Sequence, residues 1–237
     1  VAAQESHLLF TRILREYVRE GRVDYKKLSR DKRLDVYLKQ LSETNPDNLP
    51  SDKEKLAFWI NTYNAYTLKL IRENYPLKSI NELHKGGFII GSILKSTAWD
   101  RDFVIVAGKK MSLNAVEHKI LRPRFLEPRI HFAIVCAAIG CPPLRNEAYE
   151  ADRLDSQLNE QGRVFLSEPK KNSFDLENKI ARISPIFGWF KEDFGRDRLG
   201  VLLFIAKFLE PKAANAIRKD VKNWRVFYTY YDWGLNE

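Results

Sequence analysis

The segment from Ser51 to Asn74 constrains this chain more than any other. It opens after the break "TNPDNLP", closes before Pro76, and contains "KLAFWINTYNAYTLKLI" at 55–71. Ser51 followed by Glu54 has the form of a capping box, so the helix is expected to start there. Ile60, Asn64, Thr67 and Ile71 share one face at helical spacing. Asn is a poor residue for a helix interior, because its amide competes for backbone groups. A buried amide without partners costs on the order of 1–3 kcal/mol. Asn64, with Asn61 one turn earlier, is therefore expected either to tie the helix to a loop or to serve a polar site. In the second case Asn64 would orient an imidazole or donate to an oxyanion.

Around this helix the pattern is α+β. Helices are expected at 6–20, 31–42, 151–167, 185–193, 199–209 and 211–220. Hairpins are expected in "FVIVAGKKMSL", turning near Gly108 and Lys109, and in "NSFDLENKIARIS", turning at 177–179. "NAVEHKILR" reads as a short helix ending before Pro123. "RIHFAIVC" at 129–136 reads as a strand, and so does the closing "WRVFYTYYDW". The expected architecture is a helical first third packed on a small, mostly antiparallel sheet flanked by helices. No repeat or linker divides the 237 residues, so one domain is expected.

The chain is 44% hydrophobic with a formal charge of +9, but its 40 basic and 31 acidic residues are intermixed throughout. That distribution describes a solvated surface and argues against a nucleic-acid partner. The apolar runs are far shorter than a membrane span. "GGFIIG" fits neither standard nucleotide-binding glycine pattern. No cofactor is expected.

Both cysteines and two of the four histidines fall within "EHKIL" (117–121) and "RIHFAIVCAAIGCPPL" (129–144). A nucleophilic thiol needs a base within reach, and the base needs an orienting group. Cys136 or Cys141 would be the nucleophile and His118 the base. His131 and Cys136 lie five apart, hence on opposite faces of a regular strand, which makes His131 a secondary candidate beside Asn61. Glu117 or Asn64 would orient His118. Neighbours on a helix point about 100° apart, which favours Asn64. Backbone amides near Gly140 would form the oxyanion hole. Cys141, in a loop stiffened by Pro142 and Pro143, is the more accessible candidate, and Cys136 the more rigidly placed. Each residue also has a structural reading. Cys136 would be a small buried hydrophobe, Glu117 a capping partner of Asn114, and His118 and His131 packed imidazoles. The C-x4-C pair allows a local disulfide or thiol–disulfide exchange. The His118, His131, Cys136 and Cys141 set has the donors, but not the usual spacing, of a zinc site. His7 and His84 receive no role.

"YVREGRVDYKKL", "FWINTYNAYTLKLI", "WDRDFV", "LNAVEHKILRPRF", "PRIHFAIVCAAIGCPPLRNEAY" and "YYDWGLN", in this order, resemble the family called domain of unknown function 547. The resemblance carries over to Trp59, Asn61, Tyr63, Asn64, Glu117, His118, His131, Cys136, Cys141 and Pro142. It implies a bacterial, exported protein, hence periplasmic or secreted, to which a chain beginning "VAAQES" conforms. The Cys, His and Glu set adds an analogy to papain- or transglutaminase-like thiol enzymes. The expected function is a thiol-dependent hydrolase or acyl transferase acting on a small molecule or peptide. The alternatives are an exported binding module for a small thiol or peptide, and a thiol–disulfide redox protein.

Overall fold

The computed structural model describes residues 7–83 and 97–237. "VAAQES", His84 and the glycine loop at 86–91 lie outside the described residues. Helix α1 (Leu8–Tyr17) leads into a two-stranded hairpin, β1 (Val18–Arg19) and β2 (Arg22–Val23), and then into α2 (Tyr25–Leu28) and α3 (Arg33–Glu43). Phe10 of α1 stacks on Tyr37 of α3 with centroids 4.7 Å apart. Helix α3 packs in turn on α4 (Asp52–Asn74).

Helix α4 is the axis of the molecule. Ser51 caps it as expected, accepting from the Glu54 N–H at 3.2 Å and donating to the Glu54 carboxylate at 2.8 Å. Such a cap contributes about 1 kcal/mol. The burial goes further than a single face: every residue from Leu56 to Leu68 is buried. A helix with no charged side over three turns has to sit inside.

The hairpin β3 (Val104–Val106) and β4 (Lys109–Met111) turns on Ala107 and Gly108, both at positive φ. Two left-handed residues match the twist of a tight hairpin. Next come α5 (Leu113–Ala115), a π-helical stretch Val116–Leu121, and α6 (Arg122–Phe125). The helix thus runs through Pro123 instead of ending before it. Proline removes a donor and crowds the carbonyl four residues back. Here the backbone widens, and the Arg122 N–H reaches back five residues to the Glu117 carbonyl.

The largest departure from expectation is at 129–136. Instead of a strand there is a one-turn helix, α7 (Ile130–Ala133), followed by extended chain that has no strand partner among the described residues. A short apolar run does not distinguish a strand from a buried turn. In this fold the backbone of 133–135 pairs with a side chain of α4 rather than with a neighbouring strand.

Helix α8 (Leu154–Leu166) packs on α7. The last sheet has the order β5 (Ser173–Asp175), β6 (Ile180–Ile183), β7 (Arg225–Tyr228). The first pairing is antiparallel and the second parallel, because α9 (Ile186–Trp189), α10 (Lys191–Phe194), α11 (Arg198–Ile205) and α12 (Pro211–Asp220) intervene. The fold is α+β. Among the described residues its strands are mostly antiparallel, but they form three small sheets rather than one. After β7 the segment 232–236 lies along 137–140, with Ile139 N–H donating to Gly234, Gly140 N–H to Asp232, and Asn236 N–H to Ala137. Gly140 permits the approach: a Cβ there would meet the Asp232 nitrogen and the Tyr231 ring at 2.9 Å. Among the described residues no helix is long and apolar enough to cross a membrane.

Candidate functional site

A cleft of about 610 Å³ is lined by Glu117, His118, His131, Cys136 and Cys141, five of the seven residues singled out from sequence. The remaining two, Asn61 and Asn64, lie behind it and hold its loops. Asn61 donates to the Tyr149 carbonyl at 2.8 Å and accepts from the Tyr149 N–H at 2.9 Å. Asn64 donates to the Ala133 carbonyl at 2.9 Å and accepts from the Val135 N–H at 3.0 Å. Each amide acts as a substitute strand edge. Asn64 therefore does not orient an imidazole; it fixes the backbone immediately before Cys136.

Cys136 and Cys141 are joined in a disulfide. Their expected accessibility is reversed. Cys141 is 4% exposed while Cys136 is half-buried; 232–236 pairs with 137–140 just before Cys141, and Tyr231 lies against its sulfur. The Tyr231 hydroxyl sits against both sulfurs, 3.2 Å from Cys136 Sγ and 3.1 Å from Cys141 Sγ. Burial and then the Glu117 charge raise the Tyr231 pKa, so the phenol keeps its proton. The Cys136 N–H also points at Cys141 Sγ, at 3.1 Å. Ala137, next to the bridge, has φ 63°, a left-handed conformation costly to a residue with a Cβ.

Among the described residues no imidazole is hydrogen-bonded to either sulfur. His118, on the cleft rim, has Nδ1 3.0 Å from Arg122. Its pKa is lowered by desolvation, then by Arg122 and His131. His131 is buried, with Nε2 2.7 Å from Asp193 Oδ2 and Nδ1 3.9 Å from Glu117 Oε1. Burial would raise the Asp193 pKa, but hydrogen bonds from His131 and Arg122 hold it well below the usual carboxylate range. An ionised carboxylate only accepts, so Nε2 carries the proton and Nδ1 is left as an acceptor. Burial also lowers the His131 pKa, which keeps the ring neutral. Phe190 stacks on His131 at 4.0 Å and holds the ring in place.

Glu117 is the carboxyl lining the cleft whose pKa is raised. Burial pushes its pKa up to about 7, against opposing effects of Arg122 and Tyr63. The Tyr63 hydroxyl is 3.5 Å away and itself accepts from Trp99 Nε1 at 3.1 Å. Glu117 is no capping partner of Asn114. Ser112 caps this helix, and Asn114 donates to Asp100 at 2.6 Å. The π-helical stretch carries Glu117 and His118, and such widened turns recur at functional sites.

Two further expectations fail. The amides near Gly140 are not open for an oxyanion, because Ile139, Gly140 and Cys141 N–H groups already donate to Gly234, Asp232 and Ala138 carbonyls. The four proposed zinc donors do not converge, and among the described residues no group of three or more His, Cys, Asp or Glu is arranged to hold a metal ion. Sequence reasoning missed Tyr231, Asp193 and Arg122. Tyr231 lies 90 positions from Cys141, and no sequence period links them.

The family description "Protein of unknown function, DUF547" matches residues 46–166, just over half of the chain. The chain belongs to the DUF547 family. The match takes in α4, Glu117, His118, His131 and both cysteines, whereas "YVREGRVDYKKL" and "YYDWGLN" fall outside it. Tyr231 therefore lines the DUF547 cleft from beyond the matched region, and Asp193 supports it from there through His131 and Arg122. No curated protein and no solved structure matches the chain.

Proposed function

We propose that this DUF547 protein performs thiol–disulfide exchange with Cys136–Cys141 as its redox couple. The observation that carries the reading is the bridge itself. Both cysteines line the cleft, Cys136 half-buried and Cys141 buried, and a phenol that keeps its proton touches both sulfurs. A substrate thiolate attacks Cys136 Sγ, the S–S bond breaks, and the electron pair leaves on Cys141 Sγ. Tyr231 and the Cys136 N–H donate to that thiolate. A second thiolate of the substrate then attacks the substrate sulfur of the mixed disulfide and releases Cys136. The substrate dithiol leaves as a disulfide, and the protein keeps two thiols. Glu117, half-protonated near neutral pH, is the local proton store. Such a couple belongs in an oxidising compartment, consistent with a periplasmic or secreted location.

Trapping tests this. Protein purified without reductant should take up no alkylating agent, and protein treated with dithiothreitol should take up two equivalents by mass spectrometry. Cys141→Ser should form a stable mixed disulfide with a thiol peptide at Cys136, and Cys136→Ser should not. Two free thiols in oxidised protein, or a bridge inert to dithiothreitol, would overturn the reading.

One observation favours a second reading, thiol hydrolysis or acyl transfer by the reduced protein in a papain- or transglutaminase-like manner. His131, held by Asp193, and His118 line the same cleft as Cys136. It predicts that reduced protein cleaves a thioester, and that His131→Ala abolishes cleavage.

A further inference from the structure

We propose that the substrate is an extended polypeptide that docks along the outer edge of β7 and hands a cysteine to Cys136. The proposal rests on the exchange reading and adds the substrate class.

Three observations lead to it. First, β7 is an edge strand among the described residues. Arg225 and Thr229 N–H groups donate inward, to Lys179 and Ile183 of the neighbouring strand and its flank. By the alternation of a β ladder, the peptide groups of Val226 and Tyr228 face outward, where an added strand can pair. Second, this edge leads straight into the cleft. Tyr231, whose hydroxyl touches both sulfurs, follows Tyr228 by three residues, about 10 Å of extended chain.

Third, the path is lined with aromatic surface. Tyr228 is 58% exposed, Trp189 51% and Tyr230, just beyond the strand, 84%, while Phe227, 49% exposed, points to the opposite face of β7. The Tyr228 ring lies on Gly188, where a Cβ would come within 2.7 Å of it, so the strip passes directly to Trp189 at the cleft. There Trp189 stacks on Trp233 at 5.8 Å and meets Tyr231 at 4.9 Å. An exposed strip of large rings beside an open strand edge invites aggregation unless it has a use. At its far end Arg225 is exposed and has no ion-pair partner among the described residues, which suits an acidic group on the incoming chain. A small thiol such as glutathione uses none of these features.

The test uses the oxidised protein and a labelled peptide. The peptide carries one S-alkylated cysteine, aromatic residues at alternate flanking positions and a terminal glutamate. Its counterpart is N-methylated at alternate backbone nitrogens. Anisotropy should show at least tenfold weaker binding of the N-methylated peptide, and of the parent peptide to Tyr228→Ala. The ratio of peptide-dithiol to dithiothreitol oxidation rates should fall about tenfold in Tyr228→Ala. Equal binding of the two peptides overturns the docking proposal. Peptide oxidation no faster than glutathione oxidation also overturns it and leaves the exchange reading intact. Binding of the parent peptide with no oxidation of any thiol overturns the exchange reading and leaves the docking surface standing.

Discussion

Glu117 Oε1 and His131 Nδ1 face each other across 3.9 Å in a buried corner of the cleft, with Asp193 on the opposite nitrogen of the ring. The carboxyl and the imidazole are thus both biased toward their neutral forms, by the same lack of water.

That bias has a pH signature in stability. The Glu117 pKa rises from 4.5 to about 7 on folding, so the native state holds a proton that the unfolded chain loses between those values. Its contribution is full at low pH and is lost as pH rises through 7. The unfolding free energy of Glu117→Gln, minus that of the native protein, should therefore increase by about 3 kcal/mol from pH 4.5 to 7.5. Urea titrations across this range measure it.

His7 works in the opposite sense. It is buried beside the Tyr37 hydroxyl at 2.7 Å, and burial lowers its pKa from 6.5 to about 4. The unfolded chain takes up a proton below 6.5 that the native state refuses, so this contribution is present above that pH and is lost as pH falls through 4. His7→Gln should be less acid-sensitive than the native protein, by up to about 3 kcal/mol at pH 4. Between pH 4.5 and 6.5 the two groups offset each other, and only the single variants expose the slopes.

Tyr231→Phe keeps the ring packing and removes one donor from the sulfurs. A hydrogen bond to a charged group contributes about 1.5 kcal/mol or more. The reduction rate of the bridge by dithiothreitol should drop about tenfold, with little change in melting temperature.

Asn64→Ala strands the Ala133 carbonyl and the Val135 N–H in the interior. The expected loss is about 3 kcal/mol by urea denaturation. Asn61→Ala should cost a similar amount through Tyr149.

His118→Ala separates the two chemical readings. Its ring bonds Arg122 and neither sulfur, so disulfide exchange should change less than about threefold. Thioester cleavage by the reduced protein, the activity of the second reading, should instead fall by roughly 100-fold where His118 shares the base role with His131.

Most of the architecture was legible because local rules set it. Ser51 and Glu54 announce a cap, Gly108 a tight turn, and the spacing of Ile60, Asn64, Thr67 and Ile71 a helix with a buried face, though the burial all round from Leu56 to Leu68 goes beyond that spacing. The segment 129–136 was not, since its backbone partner is the side chain of Asn64, 69 and 71 positions away. The grouping of Glu117, His118, His131 and the cysteines was readable from their proximity in sequence. Their partners were not, because Asp193 and Tyr231 arrive through tertiary packing. The reach of the Pro123-widened turn was also hidden, as proline alone reads as a stop.

The strap formed by 232–236 has a consequence for biosynthesis. A chain still lacking 231–236 already contains both cysteines, but neither the phenol that faces them nor the strap that pairs with 137–140. Until it docks, the two sulfurs stand open to any thiol in the vicinity. Mispairing during maturation is therefore a hazard whose window closes only when the strap is laid down.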